Sequence, residues 1–157
     1  MSLRRGLIGV LIIVPVIVVL FTLAQSRWNA VTLSLEASYS APVLTLSGET
    51  NLPERTLLVY EVAPRAEALR QREGIFATGV TVVNNGTYRV DLDTSLFEIR
   101  DVTVSIRFEV WPEGPPQSTA VVRQFGQNGE RISGEHLVQT NQRNWIELSE
   151  SLVLDEQ

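Results

Sequence analysis

Cysteine and lysine are both absent from this chain, histidine occurs once, at His136, and no acidic residue precedes Glu36. Without cysteine there is no disulfide, so the apolar core must supply the stability. There is also no thiol to carry a lipid anchor, and zinc sites built on cysteine and histidine cannot be assembled from one imidazole. Any serine nucleophile of the Ser-His-acid kind would have to work through His136, and no Gly-x-Ser-x-Gly turn is present. A glycine-rich phosphate cradle is missing as well. Every basic residue is arginine, a compositional fact that carries no functional reading.

What the acid-free start does contain is a long apolar run. Residues 6–24 hold one polar side chain, Thr22, in 19 positions. As a helix rising about 1.5 Å per residue this run spans roughly 28 Å, close to the hydrocarbon thickness of a bilayer. Pro15 falls in its middle, where membrane helices tolerate it. Arg4 and Arg5 precede the run, and Arg27 and Trp28 follow it closely. The positive-inside bias places Met1 in the cytoplasm and the rest of the chain outside, with Trp28 at the outer headgroup level. The sequence thus predicts residues 1–27 as a retained anchor and residues 28–157 as an extracytoplasmic domain. Gly6, Gly9, Val10, Val14 and Val18 are the expected helix–helix contacts, because small side chains permit close approach. The alternative is a signal peptide cut after Ala24. The small residues of Thr22-Leu23-Ala24 fit it, but the run exceeds the roughly 7–15 residues of a signal h-region.

Beyond Arg27 the ten remaining arginines face all 18 acids, a net charge of −8. An acidic domain argues against nucleic acid as a partner. Its length suits one domain with a real core. Residues 31–39 alternate apolar and polar side chains, the signature of a half-buried strand. Further strands are expected at 43–48, 56–62, 75–83, 87–92, 102–110, 119–125, 136–140 and 145–154. Asn51 and Pro53 supply turn chemistry. Residues 64–74 are the one stretch with helical character, in which Arg65, Arg70 and Arg72 form a small basic cluster. Asn84-Asn85-Gly86 reads as a tight hairpin turn joining the strands on either side of it. Residues 93–101 read as a longer connection with a short helical turn. Seven to nine short strands with turn signals between them make an all-β, immunoglobulin- or fibronectin-like antiparallel sandwich with Greek-key or meander links, preceded by one transmembrane helix. The antibody-type Cys–Trp–Cys pattern is absent.

Leu46-Ser47-Gly48-Glu49-Thr50-Asn51-Leu52-Pro53, followed by Thr56-Leu57-Leu58-Val59, carries a resemblance. With Val80-Thr81-Val82, Asn85-Gly86-Thr87-Tyr88 and the later Phe125-Gly126, Gly129-Glu130 and Gly134, it resembles a type of immunoglobulin-like domain in bacterial exported proteins. That type reads as a glycine, TNLP, a threonine-led strand and a later glycine hairpin. The likeness spans most of 46–137 and rests on turn and strand punctuation. It implies an extracytoplasmic accessory or adhesive module and carries over no catalytic residue.

Asp91, Asp93, Glu98 and Asp101 could gather oxygens for Ca²⁺, but their spacing matches no Ca²⁺ loop. Turn-forming and strand-ending roles explain them better. Asn85-Gly86-Thr87 is formally a glycosylation sequon whose turn role is sufficient. Trp111, Trp145 and Tyr39 read as core before they read as ligand contacts. No residue is assigned to catalysis, a cofactor or a metal. The expectation is a non-enzymatic subunit of a membrane or envelope assembly, its partners being the lipid bilayer and other membrane or envelope proteins. The alternative is a free-standing cell-surface or secreted binder of a ligand or glycan, assisted by calcium.

Overall fold

The computed structural model describes residues 30–112 and 115–155. The anchor residues Arg4, Arg5, Arg27 and Trp28 and the helix contacts Gly6, Gly9, Val10, Val14 and Val18 lie outside the described residues. Among the described residues no helix is long and apolar enough to cross a membrane.

The described chain is mostly strand. In order it forms β1 (Ala30–Val31), β2 (Glu36–Ser40), β3 (Val43–Glu49), β4 (Leu57–Pro64), helix α1 (Glu67–Glu73), β5 (Ala77–Val82), β6 (Thr87–Asp93) and β7 (Asp101–Phe108). Helix α2 (Thr119–Phe125), β8 (Ser133–Gly134), β9 (Leu137–Gln139) and β10 (Asn144–Val153) complete it. Two antiparallel sheets carry the fold: β2-β3-β6, and β5-β4-β7-β10-β9. The short β1 and β8 pair parallel to each other, a departure from the all-antiparallel expectation. Connections β3–β4, β5–β6 and β6–β7 each pass from one sheet to the other, as in a β-sandwich.

Alternation drives the layering. Val102, Val104, Ile106 and Phe108 of β7 are all buried, while Thr103, Ser105 and Arg107 between them face outward. Near the Ala30 end, Leu58, Ile106, Phe108 and Ile146 meet Val121 and Phe125 of α2. At the other end, Leu44 and Leu46 of the three-stranded sheet pack on Val62, Val102 and Val104 of the five-stranded one. Each such fully buried side chain contributes about 1.5–3 kcal/mol relative to exposure.

Three expectations are corrected. The stretch 31–39 keeps its alternation but is not one strand. Val31 pairs with Gly134, Leu33 bridges Thr50, and only residues 36–40 pair with β3. The stretch 119–125 is a helix, not a strand. Ser118 caps it by accepting the Val121 N–H at 3.3 Å, Gly126 ends it at φ 88°, and Val121 and Phe125 are one turn apart on its buried side. Residues 94–100 contain a turn closed by Phe97 N–H to the Thr94 carbonyl at 2.9 Å, with no helical turn.

Asn84-Asn85-Gly86 does not close the expected hairpin. The tight turn is there, with Asn85 at φ 51°, Gly86 at φ 73° and Asn84 and Thr87 bonded reciprocally. The strands it joins do not pair. β5 stays on β4, from Leu57–Val82 to Val62–Ala77, while β6 runs along β3, from Glu49–Thr87 to Val43–Asp93. Thr50 N–H to the Gly86 carbonyl at 2.8 Å draws the second arm to the other sheet. The turn is a corner between layers.

Candidate interaction surface

The residues singled out for chemistry do not assemble. His136 sits between β8 and β9 at φ 61°, where its carbonyl accepts the Glu147 N–H. Asp91 accepts from Arg89 and from the Thr45 hydroxyl at 2.7 Å, and these bonds hold its carboxyl below the usual carboxylate range. Asp93 accepts the hydroxyl and backbone N–H of Ser95, which lower it in the same way. Asp101 pairs with Arg65 at 3.3 Å and Arg70 pairs with Glu61, so these two arginines of the 64–74 stretch turn to separate acids. Among the described residues no group of three His, Asp or Glu side chains is placed to hold a metal.

Two features were hidden in the sequence. Glu109 is buried between Arg107 at 3.2 Å and Arg143 at 3.4 Å, and Arg143 lies over the Trp145 ring. It occupies a polar position in a regular alternation, so nothing in the pattern marks it. Asn51, expected to cap a local turn, instead clamps the start of the domain, accepting the Thr32 N–H at 2.9 Å and donating to the Ala30 carbonyl at 2.7 Å.

The aromatics divide. Tyr39 packs against the core, Trp145 donates to Glu147, and Trp111 is 51% exposed, against the expectation of core. At the end remote from Ala30 the loops before β5 and after β6 are joined by the Phe76–Phe97 stack, with Ile75 and Leu96 beside it in solvent.

The best-formed surface is the free edge of β5. The bond from Val83 N–H to the Thr56 carbonyl fixes the phase of the ladder. Val83, Thr81 and Gly79 direct their backbone groups at β4, and Val82, Val80 and Thr78 direct theirs away. Of these outward groups only the Val82 carbonyl has a side-chain donor, Asn84, at 3.4 Å. The strand Ala77-Thr78-Gly79-Val80-Thr81-Val82 has no charge and no proline in a chain that is 20% charged. A β-carbon at Gly79 would stand 2.5 Å from the Tyr60 hydroxyl, so a side chain there would have to displace that ring. Beside the edge, a shallow groove lined by Val80, Thr81, Val82, Thr87, Tyr88 and Arg89 runs between β5 and β6, bridged by the Thr81 hydroxyl donating to the Arg89 carbonyl at 3.1 Å.

No protein-family model, curated protein or solved structure matches the chain.

Proposed function

We propose that this protein is a single-pass, membrane-anchored extracytoplasmic module, and that it serves as a non-enzymatic accessory or structural subunit of a membrane or cell-envelope assembly. The apolar run 6–24 between Arg5 and Arg27 supports the anchor. The strand orders β2-β3-β6 and β5-β4-β7-β10 support an immunoglobulin- or fibronectin-like form of the sandwich. The likeness of residues 48–56 to bacterial exported immunoglobulin-like domains agrees with both.

The observation that carries the reading is the unguarded β5 edge. Soluble sandwiches protect such edges with charge, proline or cover, because open donors and acceptors recruit other strands. A protein that leaves one open has a use for it. The test is extraction of native membranes, first with alkaline carbonate and then with a gentle detergent. The chain is expected to resist carbonate and to leave the membrane in a stoichiometric complex. A chain that purifies alone would favour the second reading, a free-standing ligand or glycan binder, for which the half-exposed Trp111 is the supporting feature.

A further inference from the structure

We infer that β5 takes up an extended segment of a different protein chain by strand addition, with the backbone groups of Thr78 and Val80 as its anchoring contacts. This deepens the subunit reading and rests on it in one respect, the membrane anchor.

The edges of the two sheets are not equivalent. β6 presents Arg89, Asp91 and Asp93 to solvent, β2 carries Glu36, and β9 is three residues long. Charged or very short edges resist strand addition. β5 is six residues long, uncharged, and in unbroken register with β4.

Geometry and like charge select against a second copy as the occupant. β5 runs from the end remote from Ala30 towards the Ala30 end, where Thr50 bonds Gly86 and Asn51 bonds Ala30. Antiparallel pairing about a two-fold axis therefore sets the Ala30 of each copy at opposite ends of a body about 33 Å long, ten strand residues at about 3.3 Å each. Only residues 25–29 join Ala30 to the apolar run, roughly 17 Å at full stretch, so two copies anchored in one bilayer could pair this way only by lying flat on it, and each would bring the same −8 charge to the other. Symmetric parallel pairing sets like residues opposite each other, whereas a parallel ladder bonds staggered ones.

The chemistry of the segment follows from the two sides of the strand. On the outer face Val80 and Val82 stand beside Val59 and Leu57, so the incoming residues there are β-branched or aromatic. Its alternate residues face a groove of mixed character, in which Thr87 and the Arg89 side chain stand beside Val80, Val82 and Tyr88, so they are small or polar. The −8 charge beyond Arg27 selects a segment that is neutral or basic.

The test places a photo-crosslinking side chain at Thr78 of the full-length protein in native membranes, with Thr103 as a control in the interior of the same sheet face. We expect a crosslink from Thr78 and not from Thr103, to one other chain, within a stretch of alternating apolar and polar residues. Val80→Pro removes an outward N–H that β4 does not use, so its yield should fall about tenfold while Val80→Ile retains it. Should Val80→Pro lower the melting temperature, Val80→Lys replaces it. A crosslink to a second copy, no crosslink from Thr78, or a yield indifferent to both Val80 variants would overturn the inference. Carbonate treatment of the same membranes separates the two readings: release of the chain defeats the anchor, while a heterologous, Val80-dependent crosslink still upholds strand addition.

Discussion

The side-chain amide of Gln117 is bonded to both backbone groups of Leu57, donating to its carbonyl at 2.8 Å and accepting from its N–H at 3.0 Å. The same amide nitrogen donates to the Glu109 carbonyl at 2.9 Å. Gln117 thus stands in for a peptide group where β4 and β7 part company. Its replacement by leucine leaves three backbone groups, one buried and two part-buried, without partners. The expected loss is about 2–3 kcal/mol in denaturant unfolding. A loss under about 0.5 kcal/mol would mean that water replaces the amide freely.

Helix α2 is held by its aromatic end. Phe125 meets Phe108 edge-on with ring centroids 5.0 Å apart, and both are buried. Phe125→Ala should cost about 3–5 kcal/mol. Because no disulfide backs up this core, the variant is expected to melt at a clearly lower temperature by calorimetry. An unchanged melt would show that α2 is not part of the cooperative unit.

Gly48 is required by its surroundings. A β-carbon there would lie 2.1 Å from the Ser34 carbonyl oxygen and 2.7 Å from the Tyr88 hydroxyl, which itself bonds Ser34. Burial pushes the Tyr88 hydroxyl well above the ordinary phenol range, so it remains a donor. Gly48→Ala should destabilise by about 3 kcal/mol or more, since backbone must give way. Tyr88→Phe should cost about 1 kcal/mol, the value of one hydrogen bond. Equal effects from the two would contradict the geometry.

Acid should weaken the fold. Asp91 is lowered by Arg89 and Thr45, Asp93 by Ser95, and Glu130 by backbone N–H groups led by that of Asn128. A carboxylate whose folded pKa is depressed adds stability above its unfolded pKa and loses it as pH falls through the folded value. The melting temperature is therefore expected to hold from pH 7 to about 5 and to drop below about pH 4. All three groups are exposed, so the drop is modest. Asp93→Asn should flatten part of the acid limb; a melting temperature that rises on acidification would refute the assignment.

Most of the strands were legible because alternation is a local signal that burial enforces. β7 is the clearest case, with every even residue from Val102 to Phe108 buried. What the pattern could not convey was pairing. Asn85-Gly86 makes the turn that its chemistry dictates, yet Thr50 and Glu49 decide where the second arm goes, and they are more than thirty residues away. Residues 119–125 carry a strand-like pattern in Val121, Val122 and Phe125, while the local signals for a helix lie just outside, in Ser118 and Gly126. The β5 edge was half legible. Its lack of charge is written in the sequence, but its place at the rim of a sheet follows only from the order β5-β4-β7.

The central claim is that this edge is filled in the working protein. The direct measurement is amide hydrogen exchange on the full-length chain, in its gently extracted assembly and again after purification to the single chain. The amides of Thr78 and Val80 should exchange at least about tenfold more slowly in the assembly, the loss of that protection accompanying loss of the partner strand. Equal, rapid exchange of both amides in the two preparations would contradict the account.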